Sequence, residues 1–537
     1  MSLSAQGKRG LVTAPHALAA EAGAQVLARG ANAIEAAIAV SAALSVVYPH
    51  MTGLGGDAFW LISDGSVSSV RGLAAVGPAG RAYEPEVFRA RGLSQIPFRG
   101  ALSAMTVPGM LRGWEAAHSF SEATWGGTLG WGDLLAPAQE LAARGFPLSL
   151  NQERTLRQYR RELDSDAEFC AHYLPQGRLP HAGEIFRQSD LAKTLARLMG
   201  EGPGSFYAGN LVQEMVAALQ AKGNLLHLYD LENCIAEWVE PLRLPFAGGM
   251  LFNLPPPSQS IASLMIAGIM ERLGLGDADP LVAELVHGAV EATRRVFPVR
   301  DRVVQDPRRR IDITWRKLLR EDFLDRQADE IRAGILGILP IWQPAMGDTT
   351  WFAVVDAEGR VASVIQSLYH EFGRGLWLAP RAFCGTIAVV PLPWSRRIRA
   401  AWLPAFGLFI RSIPPSMGEK GACRWPTAVW VETANRRLRP LSFSTFVSWA
   451  GTRGAVDAPR WLLGRTWGNP VTALRLESRY ERRVGERLQN WGHPLQVMPA
   501  YSDLMGHAGI LRALPDGAWI GASDPRSDGG VAGPDSV

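Results

Sequence analysis

Two apolar runs separated by a short polar turn mark the second half of the chain. Trp351-Phe352-Ala353-Val354-Val355 closes on Asp356, and Val361 to Leu368 follows after Ala357-Glu358-Gly359-Arg360. Apolar runs of strand length on either side of an Asp-x-x-Gly turn predict a β-hairpin. Near the N-terminus, Gly10-Leu11-Val12-Thr13 predicts a short strand. Ala17 to Arg29 is rich in alanine and predicts a helix with Gly30 as its C-cap. Ala31 to Val47 predicts a second helix, buried on most sides, since its small residues allow close packing on a sheet. Phe59 to Ser63 and Val67 to Arg71 predict a hairpin around Asp64-Gly65. Residues 131–145 and 189–200 carry the period of amphipathic helices. Residues 307–345 run from basic to helical to apolar and predict a linker that leads to Thr349.

At 537 residues the chain can bury a large core and hold two or three domains by length alone. Hydrophobic residues make up 47% and charged residues 20%, the balance of a soluble globular protein. The four cysteines, Cys170, Cys234, Cys384 and Cys423, show neither CxxC spacing nor a zinc-like Cys/His cluster. Neither a metal site nor a disulfide framework is expected from them. Met1 to Gly10 is short and polar with no apolar run after it, so a cytoplasmic protein is expected, with the periplasm as the alternative. No apolar run reaches transmembrane length, and no membrane partner is expected.

A pI near 8.9 invites a nucleic-acid reading, but the charge is uneven. Residues 374–454 hold eleven Arg and Lys420 against Glu419 and Glu432, a net +10. The rest of the chain holds 43 basic and 49 acidic residues, a net −6. The excess belongs to one segment, and no nucleic-acid partner is expected.

Candidate chemistry sits at the start of the hairpin, in Gly347-Asp348-Thr349-Thr350. A threonine hydroxyl is a weak nucleophile without a base beside it. At a chain N-terminus the residue's own α-amine serves as that base, with a reference pKa of about 7.7–8.0. Thr349 lies far from the N-terminus, so this chemistry requires a cut before it. The structural alternative is a hairpin that happens to begin with threonines. The cluster Gly53-Leu54-Gly55-Gly56 matches neither GxGxxG nor GxxxxGK, so a phosphate loop is not supported.

Several of these stretches resemble the γ-glutamyltranspeptidase family, and its cephalosporin acylase branch in particular. They are Gly347-Asp348-Thr349-Thr350-Trp351, Gly30-Ala31-Asn32-Ala33 with Gly53, Gly55, Gly56 and Phe59, and Ala104 to Gly109 with Gly113-Trp114. Trp351 departs from the histidine that many members have there. The resemblance implies the four-layer αββα sandwich of N-terminal nucleophile hydrolases, an α/β (α+β) fold. It implies cleavage of the Asp348–Thr349 bond, a large subunit 1–348 and a small subunit 349–537 starting with the nucleophile Thr349. It further implies Arg71 on the substrate carboxylate, with a solvated strand-end arginine as the alternative. Ser367 would stand beside the nucleophile. Tyr369 would stand where transpeptidases have Asn, which favours an acyl group of less polar demand. No cofactor or metal is implied, and His287 reads as a surface or core residue. The partners implied are a small-molecule amide substrate and the two subunits as a heterodimer, with a higher oligomer left open.

The resemblance runs through residues 8–373 and resumes at 455. Residues 374–454 lack the expected asparagine-rich strand and the Gly-Gly pair whose amides form the oxyanion hole. They hold six Trp and no Asp, and read as an out-of-frame stretch, with a divergent insertion as the alternative. The expected activity is a self-processing acylase that removes a glutaryl-like side chain from a β-lactam nucleus, with some γ-glutamyl transfer. A dedicated γ-glutamyltranspeptidase or glutathione hydrolase is the enzyme alternative. An inactive scaffold is the non-enzyme one.

Overall fold

The structure, a computed structural model, describes residues 2–164, 166–275, 281–304, 315–334, 349–378, 383–385, 408–410, 427–432, 452–463 and 473–536. For residues 383–385, 408–410 and 427–432 it describes the backbone alone. Its centre is two seven-stranded sheets. The strands are β1 (Ser4–Gly7), β2 (Gly10–Ala14), β3 (Asp57–Ser63), β4 (Arg71–Ala75), β5 (Glu237–Val239), β6 (Leu242–Phe246) and β7 (Gly249–Asn253). After Thr349 come β8 (Thr350–Asp356), β9 (Val361–Ser367), β10 (Leu408–Ile410), β11 (Thr427–Glu432), β12 (Ala508–Ala513), β13 (Trp519–Ser523) and β14 (Gly530–Ala532). One sheet runs β14-β2-β8-β9-β3-β4-β5 and the other β1-β13-β12-β11-β10-β7-β6.

The period-two alternation of the strands assigns their faces. Leu11, Phe59, Leu61, Trp351, Ala353, Val355 and Ile365 point from the first sheet into a core shared with Phe252, Leu511 and Trp519 of the second. Their neighbours Val12, Trp60, Ile62, Val354 and Val364 point the other way, into a core with helices α1 (Ala17–Ala28), α2 (Ala33–Val47) and α3 (Met110–Phe120). On the outer face of the second sheet, Leu244, Leu251 and Ile510 meet α4 (Ile261–Arg272), α5 (Ala283–Val303) and α6 (Glu321–Arg332). The layers are therefore helix, sheet, sheet, helix, the αββα sandwich expected. Among the described residues no helix is long and apolar enough to cross a membrane.

Local chemistry explains the start of α2. Asn32 Oδ1 accepts from the N–H groups of Ile34 at 3.0 Å and Glu35 at 3.2 Å. Glu35 Oε2 accepts from Asn32 N–H at 2.9 Å, which completes a capping box. The next amide, Ala33 N–H, donates to Asp356 Oδ2 at 3.0 Å, and Arg360 Nε donates to the same oxygen at 2.7 Å. The turn of the β8–β9 hairpin is thereby tied to a helix more than three hundred residues earlier.

One expectation changes. The hairpin after β3 does not take Val67–Arg71 as a strand. Val67–Ser69 is a single 3-10 turn, and Ser66 Oγ caps it by accepting from Ser68 N–H at 3.2 Å. A run of serines satisfies its own backbone in this way, and that competes with strand pairing. Arg71 consequently opens β4, where its Cα partner is Ile62. β8 and β9 are central strands of the first sheet, between β2 and β3, so the residues after Thr349 complete a sheet begun before it. Asp348 lies outside the described residues, as does most of 374–454.

Candidate active site

Thr349 immediately precedes β8. The register pairs Thr350 with Gln366 and so brings Thr349 opposite Ser367. Alternation along β8 and β9 turns both residues toward the space between the sheets, on the side of Trp351 and Ile365. Both are buried, at 3% and 2% exposure. Thr349 Oγ1 donates to Ser367 Oγ at 3.2 Å, and Tyr369 N–H donates to the same oxygen at 2.8 Å. Ser367 thus links the candidate nucleophile to the loop that follows β9.

The next residue in this row is Asp57, the Cα partner of Ser367 across β9 and β3. Its Oδ1 accepts from Gly77 N–H at 3.1 Å and Gly109 N–H at 3.0 Å. Burial pushes its carboxyl up to about 7, while those two donors pull the other way. Gly56 beside it must be a glycine, because a Cβ there would stand 2.7 Å from the Ser367 carbonyl oxygen.

The loop after Ser367 has an unusual backbone. Tyr369 and Phe372 have φ of 74° and 55°, in the left-handed region that side chains with a Cβ disfavour. Surrounding groups hold it there. Leu368 N–H donates to Met51 O at 3.2 Å and Phe372 N–H to His50 O at 2.9 Å. Arg99 Nη1 reaches the carbonyls of Glu371 and Gly373 at 2.7 and 2.5 Å. Gly100 N–H donates to Arg374 O at 2.9 Å, and Arg374 Nη1 to Phe98 O at 2.9 Å. The Arg374 guanidinium lies 5.1 Å from the centre of the Tyr369 ring. The Phe98 and Tyr369 rings flank His370 at 4.2 and 4.5 Å.

Beneath this loop, buried imidazoles gather around Tyr48. Its ring lies 4.3 Å from that of His50, and its hydroxyl meets His507 Nδ1 at 3.3 Å. Burial lowers His50 to about 3, with His507 and His16 adding to the effect. Burial likewise lowers His16 and His507 to about 4. These rings are neutral at ordinary pH.

Of the residues singled out in the sequence, Thr349, Ser367 and Tyr369 come together. Arg71 does not join them. It stands five residues along β3's register from Asp57, roughly 17 Å at strand rise, with an exposed guanidinium 5.5 Å from the Phe120 ring. The displaced strand start is the reason. Asp57, Arg99, Arg374 and His50 were missed as site residues. For Asp57 and His50 a signal existed, since both flank the Gly53–Gly56 cluster. Arg99 had none, as only the fold carries it to a loop 272 residues away.

The arrangement offers a hydroxyl at a strand start, a second hydroxyl to orient it and a rigid loop with an aromatic ring. That set suits acyl transfer through the Thr349 oxygen.

A family model described as gamma-glutamyltranspeptidase matches residues 19–381. The chain is 36% identical to an oxamate amidohydrolase proenzyme of Klebsiella pneumoniae subsp. pneumoniae, over 98% of each chain. It is 34% identical to a glutathione hydrolase-like YwrD proenzyme of Bacillus subtilis, over 99% of this chain and 100% of the relative. The structure also resembles that of a cephalosporin acylase from Bacillus halodurans, with a TM-score of 0.81 at 24% identity over 98% and 96% of the two chains.

Proposed function

The chain belongs to the gamma-glutamyltranspeptidase family and is an amide hydrolase, and on that premise we propose that it cuts itself before Thr349 and then uses Thr349 to hydrolyse half-amides of short dicarboxylic acids. The observation that carries the reading is the hydrogen bond from Thr349 Oγ1 to Ser367 Oγ between the sheets. In maturation the Thr349 oxygen attacks the Asp348 carbonyl carbon. The Asp348–Thr349 C–N bond breaks as the acyl group moves from nitrogen to oxygen. Water then hydrolyses that ester and frees the α-amine. In turnover the amine takes the hydroxyl proton, the oxygen attacks the substrate amide, and the leaving amine departs with a proton. Water resolves the acyl-enzyme, or an amine acceptor takes the acyl group. Ser367 orients the attacking hydroxyl throughout.

The substrate class follows from what the candidate acyl groups share. Oxamate is the monoamide of oxalic acid, and a glutaryl group is a γ-glutamyl group without its α-amine. Each leaves a free carboxylate on the acyl side of the amide. Arg71 is too distant to meet it. Among the described residues the Arg374 guanidinium lies beside Tyr369, and it is assigned to the carboxylate. Among such substrates a glutaryl-β-lactam is the preferred long acyl group, because Tyr369 offers a ring. A second reading, a dedicated glutathione hydrolase, is favoured by the Bacillus subtilis relative. Turnover of oxamate, a glutaryl-cephalosporin and a γ-glutamyl anilide by the processed protein separates these. Hydrolysis of the first two above the third supports the half-amide reading. Turnover of the anilide alone overturns it in favour of glutathione-type substrates.

A further inference from the structure

Remote from Thr349, α5 and the turn after α7 (Arg482–Asn490) bring three donor side chains together. His287 and Glu291 are four residues apart and share one face of α5. His493 follows α7, and its backbone N–H is fixed to Leu488 O at 3.1 Å. One donor atom from each of the three lies within 4.8 Å of the others. We propose that His287, Glu291 and His493 form a binding site for a divalent first-row transition-metal ion.

The donor set is two imidazoles and a carboxylate, a combination that suits such ions when positions remain open for water. His287 Nδ1 and His493 Nε2 face each other at 2.7 Å. Two nitrogens bound at right angles to one ion stand about 2.9 Å apart, so a shift of about 0.2 Å admits it. The two rings share a hydrogen bond at that contact, and a bound ion takes the place of its proton. His493 and Glu291 are buried, while His287 is half-buried and gives an entry path. The Trp491 ring packs against His287 at 5.0 Å and walls the site.

Arg294 Nη1 donates to Glu291 Oε1 at 2.6 Å, and Arg295 Nη1 lies 3.5 Å from Oε2. Such outer contacts orient a ligating carboxylate, while their charge weakens binding of a dication. The donor type therefore disfavours alkali-metal ions. Its ligands come from both sides of Thr349. If the chain is cut there, as the proposed processing requires, the ion joins the two subunits.

The test uses the untagged full chain, stripped with a chelator and dialysed against Co²⁺. Visible ligand-field absorption and elemental analysis should show one Co²⁺ per chain, in the wild type and equally in the uncut Thr349→Ala variant. His287→Ala and, as a more conservative change, His493→Gln should each lose it. His181→Ala, at an exposed histidine elsewhere, should keep it. Absence of bound Co²⁺ from the wild type, or undiminished binding in both site variants, overturns the proposal whatever the fate of the Asp348–Thr349 bond.

Discussion

Trp351 lies against Gly509 across the gap between the two sheets. A Cβ added at 509 would stand 2.2 Å from Cζ3 of the indole and 3.0 Å from Cε3. On its own sheet the indole is fixed by Nε1, which donates to Ser363 Oγ at 3.0 Å. Trp351 is two residues from Thr349 and on the same face of β8, so this contact sets how closely the second sheet approaches the nucleophile.

Gly509→Ala should therefore overpack the inter-sheet core and cost about 1–3 kcal/mol. The expected readout is a lower thermal midpoint. Adding Trp351→Phe removes the ring atoms that the new methyl meets. The double variant should then be more stable than the sum of the two single losses. Additive losses would show that the two residues do not touch.

Thr349→Ala should leave one uncut chain, because the attacking hydroxyl is gone, while Thr350→Ala should still cut. Intact mass decides this. Two fragments from Thr349→Ala would remove the self-cleavage assignment, and the reverse pattern would move the nucleophile to Thr350.

Ser367→Ala should slow turnover by roughly tenfold, since one hydrogen bond of about 1–1.5 kcal/mol to the attacking hydroxyl is lost. Ser367→Thr keeps the oxygen and should recover most of it. The loss belongs in kcat more than in KM if Ser367 orients the nucleophile and does not bind the acyl group. Steady-state kinetics on the processed protein give the answer.

Asp57 makes stability depend on pH in a particular direction. Its carboxyl is raised from 3.8 to about 7 in the folded chain. Between these values the unfolded chain has lost the proton and the folded chain keeps it. Stability from this group is full below 3.8 and falls as pH rises through 7. Asp57→Asn keeps an Oδ1 acceptor for Gly77 and Gly109 but cannot titrate. Between about pH 5 and about pH 8 the wild type should lose thermal midpoint relative to Asp57→Asn. Parallel profiles for the two proteins would refute the assignment.

The family match runs to residue 381, eight residues beyond the point where the quoted motifs stop at 373. We propose that the out-of-frame stretch begins after that point and ends before 455. Resequencing the gene should find two compensating shifts, and the restored frame should encode a Gly-Gly pair. An unbroken frame encoding the nine Arg and five Trp of residues 382–454 would end the idea.

What the sequence determined by itself was local. The β8–β9 hairpin, the strand at Gly10, the buried alanine-rich helix and the helices Trp131–Arg144 and Ser189–Glu201 all stand where pattern and turn residues put them. Each depends on neighbours within a few positions, through strand alternation, helical period or capping by Asn32 and Glu35. Thr349 and Ser367 were named through the family resemblance, and the register of two paired strands explains why residues eighteen apart meet. Arg71 was misplaced where serine side chains competed with strand pairing, a balance of small energies that periodicity does not see. The remaining relationships belong to tertiary structure alone. Asp57 reaches Gly109, Arg99 reaches the Tyr369 loop, and His287 meets His493 across 206 residues. Strand order in the two sheets decides such meetings. That order is set by which apolar faces can be buried together over the whole chain, so no local stretch contains it.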